Sequence, residues 1–284
     1  MFQQIMVPLD GSELAERALP CAERLGAAIG ATLHLVHVVE LAPPLTWPFA
    51  PAYLPGGVYD DLVAQETQQA TEYLDKMRER VAARGVHVRT KQMVGYAAAS
   101  LLDYERDAGI DLVVMCSHGR GGLARFALGS VAEHLLRHGT APVLLVRPFG
   151  DPVSLEHAVV PLDGSERAEK ALQVVDQLAR YVVHDVTLLR VIGAAEEGPE
   201  AERYLEEVAG RLTQEPLACW RRVAQGDPAG TILDVAGTDK LVVLATRGRS
   251  GLMRWALGSV ADRVAHDGAA AVLLVRAGAA PHTP

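Results

Sequence analysis

Residues 7–19 read VPLDGSELAERAL and residues 160–172 read VPLDGSERAEKAL, identical but for Leu14/Arg167 and Arg17/Lys170. Further along, residues 119–147 run from GRGGLARFALGSVAE to APVLLVR. Residues 248–276 run from GRSGLMRWALGSVAD to AAVLLVR, and the two blocks share 18 of 29 positions. Matching blocks at opposite ends of each half indicate duplication of a whole domain, not a short solenoid repeat. Asp10 and Asp163 are 153 residues apart, as are Val38 and Val191, but Gly95 and Gly226 only 131 and Gly119 and Gly248 only 129. Most of the shortening therefore falls between Val38 and Gly95, where the first copy carries LAPPLTWPFAPAYLPGG. Five prolines suit neither a helix nor a central strand, so a long loop is expected there. The join is expected at residues 148–153 (PFGDPV), which gives domains 1–148 and 154–277.

Within each copy, short apolar runs alternate with amphipathic stretches. IMVPL reads as a buried strand. Residues 13–29 then place Leu14, Ala18, Ala22, Leu25 and Ile29 at spacings of three and four, a helical stripe. ATLHLVHVV, VHVRTKQMV, DLVVMC and APVLLVR read as strands two to five, and helices are expected over residues 58–84, ASLLDYERD and LGSVAEHLLRHG. Strictly alternating strands and helices imply a parallel sheet covered on both faces. The expected fold class is α/β: two tandem doubly wound domains, each a five-stranded parallel sheet.

Composition narrows the function. The 284 residues include 27 basic and 35 acidic side chains, a formal charge of −8, and only 5% are aromatic. Nucleic-acid binders need basic surface to displace counterions and aromatics to stack bases, so that class is disfavoured. No apolar run approaches the ~20 residues of a membrane-spanning helix. The opening MFQQIMVPLD has no basic n-region, so no signal peptide is expected. Cys21, Cys116 and Cys219 show no metal-ligand spacing or disulfide framework, which fits a reducing, cytoplasmic compartment.

In such sheets ligands bind beyond the carboxyl ends of the strands, where the strand order reverses. Two loops lie there. After strand one come Asp10-Gly11-Ser12 and Asp163-Gly164-Ser165. The serines suit helix N-caps, but that reading does not itself require the aspartates, which could accept hydrogen bonds from a ligand. After strand four come Cys116-Ser117-His118-Gly119, nine residues and Gly129-Ser130-Val131; the second copy has Ala245-Thr246-Arg247-Gly248, nine residues and Gly258-Ser259-Val260. A Gly-Ser pair opening a helix offers backbone N–H groups and the positive dipole end to phosphate, the alternative being an ordinary serine cap.

These motifs together resemble the universal stress protein family in its tandem form, over nearly the whole chain. The resemblance implies strand order 3-2-1-4-5 in each half. It implies that Asp10 and the Val38 backbone face adenine and ribose, that Met115, Cys116 and Gly119 line ribose and phosphates, and that Gly129, Ser130 and Val131 hold the phosphates. The matching positions are Asp163, Val191, Leu244, Ala245, Gly248, Gly258, Ser259 and Val260. The implied ligand is ATP or a related adenine nucleotide, with Mg²⁺ as an optional companion. The family's motif opens on glycine where this chain has Cys116 and Ala245. Homo-oligomers through the strand-five edges are expected, with pairing within or between chains.

Other constellations carry less. Cys116 and His118 suggest a dyad or metal site, but the second copy has Ala245 and Arg247 there. Arg120, Arg125, Arg249 and Arg254 suit either a solvated face or a polyphosphate. His134 and His138 are answered by Arg263 and Asp267, which suits a solvated face. Trp47, Phe49 and Tyr53 suit either a lid or a loop anchor. The leading function is regulatory nucleotide binding without catalytic residues: no P-loop lysine motif is present, and no base is evident beside the Gly-Ser turn. The alternatives are an interaction module that has lost its nucleotide, a slow ATP hydrolase, or a nucleotidyl transferase or ligase. The last lacks its usual His-x-Gly-His-type signature.

Overall fold

The computed structural model describes residues 2–40, 58–117, 128–147, 154–212, 217–246, 257–268 and 270–276. The first half runs β1 (Gln4–Pro8), α1 (Glu13–Glu16), α2 (Leu19–Ile29), β2 (Thr32–Val39), α3 (Val58–Ala82), β3 (His87–Val94), α4 (Ala97–Asp107), β4 (Leu112–Cys116), α5 (Ser130–His138) and β5 (Val143–Val146). The second half runs β6 (His157–Pro161), α6 (Lys170–Ala179), β7 (Asp185–Ile192), α7 (Gly198–Ala209), β8 (Ala218–Gln225), α8 (Pro228–Ala236), β9 (Leu241–Thr246), α9 (Ser259–Asp267) and β10 (Ala271–Arg276). The stripe over residues 13–29 is therefore two helices, not one. Pro20 sits in the first turn of α2, where its missing N–H costs nothing, but it cannot continue a helix from α1.

The strands form a single ten-stranded sheet in the order β3-β2-β1-β4-β5-β10-β9-β6-β7-β8. Each half keeps the expected 3-2-1-4-5 order with parallel neighbours, and the halves join where β5 meets β10 antiparallel. Leu144 lies opposite Leu273, and Leu145 opposite Val272. Of the expected strand-five pairing within or between chains, the structure has the pairing within the chain. β5 is already bonded to β4 and β10, and β10 to β9 and β5, so neither strand-five edge remains for a second chain. The free sheet edges are instead β3 and β8, which carry Arg89 and Lys91, and Arg221 and Arg222, charges that discourage edge-to-edge pairing.

Alternation along the strands explains their unbroken apolar runs. Ile5 and Val7 belong to one buried cluster with α2, α3, α6 and α7. Met6 belongs to another, on the opposite face, with α4, α5, α8 and α9. Both clusters run across the seam, so the two halves share each layer of core. A small cavity near the seam is lined by Phe2, Leu25, Leu112, Leu144, Leu155 and Leu273 among others. Its lining is wholly apolar and suits no nucleotide.

Candidate functional site

In each half the sheet opens at the carboxyl ends of its two central strands. β1 and β4 pair only at Ile5–Leu112 and Met6–Val113, although β1 runs on to Pro8 and β4 to Cys116. Beyond that point each strand stays with its outer neighbour: Leu9 N donates to Val36 O at 2.8 Å, and Ser117 N to Val146 O at 2.9 Å. β6 and β9 likewise pair only at Ala158–Leu241 and Val159–Val242. The crevice so formed is the switch point of a doubly wound sheet. Asp10, Met115 and Cys116 stand at its strand ends in the first half. Asp163, Leu244 and Ala245 do so in the second.

The aspartates do structural work that sequence reasoning missed. Asp10 Oδ1 accepts from Ser12 N at 2.9 Å and from Ser12 Oγ at 2.6 Å, and Ser12 Oγ in turn accepts from Ala15 N at 3.2 Å. Asp163, Ser165 and Ala168 repeat this chain at 3.0, 2.6 and 3.2 Å. Gly11 and Gly164 turn the backbone at φ 81° and 82°, a conformation that suits glycine. The carboxylate thus aims the hydroxyl so that its lone pair caps the following turn. Burial works against ionised Asp163, but the Ser165 hydrogen bonds and the Arg190 charge outweigh it and hold the carboxyl below its ordinary value. Arg190 also donates from Nη1 to Leu162 O at 3.3 Å. The first half has His37 at the matching position, its ring 5.8 Å from that of Tyr73.

A polar group flanks each turn. Tyr73 Oη donates to Glu16 Oε1 at 3.3 Å, and Arg80 Nη1 to Glu16 Oε2 at 3.0 Å. Tyr204, Arg211 and Glu169 repeat the arrangement at 3.1 and 2.8 Å. Burial and the neighbouring glutamate push both phenols upward, so they stay protonated donors. Applying the 153- and 131-residue offsets to polar positions would have revealed both sets in the sequence.

The Gly-Ser turns differ from the Asp-Gly-Ser turns in that the N-cap residue supplies no side-chain cap. Gly129, not Ser130, is the residue preceding α5, with φ −63° and ψ 147°. Its N–H donates to Ser117 O at 2.8 Å, which ties the helix start to the end of β4, and its carbonyl accepts from Glu133 N at 2.9 Å. Gly258 precedes α9 with φ −58° and ψ 150°. Ser130 and Ser259 are exposed in the first turn, Val131 and Val260 half-buried behind them. The serines are thus not the ordinary caps of the alternative reading. A Cβ built on Gly258 meets no atom of the described residues within 4 Å, so neither the backbone nor packing among them accounts for glycine there. Val38 and Val191 are the half-buried penultimate residues of β2 and β7.

Gly119, Gly248, His118, Arg247, the four motif arginines and the aromatic residues of the proline-rich loop lie outside the described residues. His134 is half-buried and His138 exposed, their rings 4.3 Å apart on α5. Among the described residues no group of three or more His, Cys, Asp or Glu could hold a metal ion, and no helix is long and apolar enough to cross a membrane.

Each half is thus a doubly wound α/β unit whose switch point has a carboxylate after one central strand and a Gly-Ser helix start after the other. The chain belongs to the universal stress protein family, whose model matches residues 1–147 and again 155–276. It is 30% identical over 296 residues to a universal stress protein of Mycolicibacterium smegmatis, covering 96% of each. A universal stress protein of Mycobacterium tuberculosis is 30% identical over 294 residues, also covering 96% of each. Universal stress protein YxiE of Bacillus subtilis is 30% identical over 148 residues, 52% of this chain and 100% of its own length. The crystal structure of a universal stress protein from Archaeoglobus fulgidus shares the fold, with a TM-score of 0.75 at 20% identity over 97% of this chain and 98% of that one.

Proposed function

We propose that the protein binds an adenine nucleotide, ATP foremost, in the crevice of each half and acts through binding, not turnover. The observation that carries this reading is Gly258. Its backbone conformation is open to any residue and, among the described residues, a side chain there would meet no atom within 4 Å, yet the position holds glycine at a helix N-terminus. Space kept clear against helix-start N–H groups suits the close approach of phosphate. Gly129, Ser130 and Val131, with Gly258, Ser259 and Val260, would take the phosphates. Asp10, Val38 and Met115 to Gly119, with their second-half counterparts, would take the nucleoside. Mg²⁺ accompanying the nucleotide would be held mainly by phosphate and water oxygens, as is usual for this ion.

Turnover is not favoured. Asp163 is held below its ordinary value, which makes it a poor general base at neutral pH, and Asp10 Oδ1 already accepts two hydrogen bonds from Ser12. A second reading, an interaction module without nucleotide, draws its support from Cys116 and Ala245, where the family's motif opens on glycine. Calorimetric titration of ATP separates the readings. Gly129→Val and Gly258→Val both keep an accessible backbone conformation, so the fold should survive while the matching site is blocked. The larger loss is expected from Gly129→Val, since the first half alone carries the long loop. Equal titrations from both variants and the unmodified chain would sink the nucleotide reading.

A further inference from the structure

Each strand five is followed or ended by an arginine that reaches across the seam. Arg147, just past β5, is 8% exposed. It donates from Nε to Ala270 O at 3.0 Å, from Nη1 to Ala265 O at 2.9 Å and from Nη2 to Val264 O at 3.1 Å. Val264 and Ala265 belong to the last turn of α9, where Val264 O also accepts from Gly268 N at 3.2 Å. Arg276, the last residue of β10, returns the contact. Its Nη2 donates to Leu135 O and Leu136 O, both at 2.8 Å, and its Nε to Ala141 O at 3.2 Å. Leu135 and Leu136 belong to the last turn of α5. The helices gripped in this way are the two whose N-termini begin at the Gly-Ser turns.

We infer that Arg147 and Arg276 are positioning residues acting across the seam: each holds the phosphate-binding helix of the other half, so neither nucleotide site is complete without both halves. This rests on the nucleotide reading above. The physical chain is short. α5 and α9 are nine residues each, roughly 13 Å from end to end, so a grip on the last turn sets the axis along which the first-turn N–H groups point. A guanidinium suits the task because its rigid fork spans several carbonyls, and its positive charge lies at the negative dipole end. Burial lowers Arg147 to about 10, which leaves it protonated at neutral pH.

The test uses the full chain. Gly129→Val leaves only the second-half site to titrate, and Gly258→Val only the first-half site. Arg147→Met should weaken ATP binding at the second-half site by roughly fivefold or more, within the usual range of coupling between sites, and leave the first-half site unchanged. Arg276→Met should do the reverse, and Arg147→Lys should lose less than Arg147→Met. A melting scan of each variant guards against general unfolding, which would weaken both sites together. Loss at the variant's own half, equal loss at both sites, or no loss would overturn the inference. If the unmodified chain binds no ATP, the nucleotide reading fails, and amide hydrogen exchange of the free protein still decides the clamp. Arg147→Met should then speed exchange along residues 259–267 and not along 130–138; any other pattern overturns it.

Discussion

Asp163 shows how one side chain can serve the fold at a position that reads as a ligand contact. Its Oδ1 aims the Ser165 hydroxyl at Ala168 N, and Arg190 supports its negative charge. The sign of the resulting pH dependence is fixed. A carboxyl held below 3.8 in the folded state contributes stability that is present above that value and lost as pH falls through the folded value. Asp163→Asn should therefore be less stable than the unmodified chain at neutral pH, and the gap should close as pH falls below about 3.8. Denaturant unfolding across pH 7 to 3 measures this, and a gap independent of pH would assign the contribution to hydrogen-bond geometry alone. In the sequence Asp-Gly-Ser was legible as a helix start. The carboxylate's share in the cap was not, because it depends on which lone pair faces Ser165 once the turn has formed.

At the scale of elements, strand and helix order were readable because the apolar runs of the inner strands meet core on both sheet faces. The break between α1 and α2 was written in Pro20, which an apolar stripe alone does not reveal. The seam is where element packing carries most weight. Leu144 and Leu273 face each other at 1% exposure, and both belong to the same buried cluster. Leu144→Ala or Leu273→Ala should each cost about 2–5 kcal/mol, as buried leucine truncations do. Because the two side chains are neighbours, the double variant should depart measurably from the sum. Denaturant midpoints of the three variants test this, and strict additivity would show that the pair does not pack as a unit.

At the scale of the whole molecule, duplication lets one chain satisfy its own sheet edges. β5 ends a parallel sheet with four buried apolar residues, and β10 covers it. Residues 1–147 produced alone would expose that edge, so they should associate through β5. Sedimentation of this half against the full chain checks it, and a stable monomeric half would show that the edge needs no cover. The Gly129 and Gly258 titrations and the arginine exchange across the seam act at this scale too, because they ask whether the halves work separately.

The sequence alone determined the duplication, the alternation of strand and helix, and both candidate loops, because these follow from local pattern and a repeat offset. The tertiary structure decided how the halves meet and which groups cross between them. VLLVR reads the same whether its strand pairs within the chain or with a second copy, and nothing near Arg147 in sequence points to Val264, Ala265 or Ala270. An edge strand takes whichever complementary edge the rest of the chain brings to it, and a buried guanidinium takes the helix-end carbonyls that packing brings within its reach.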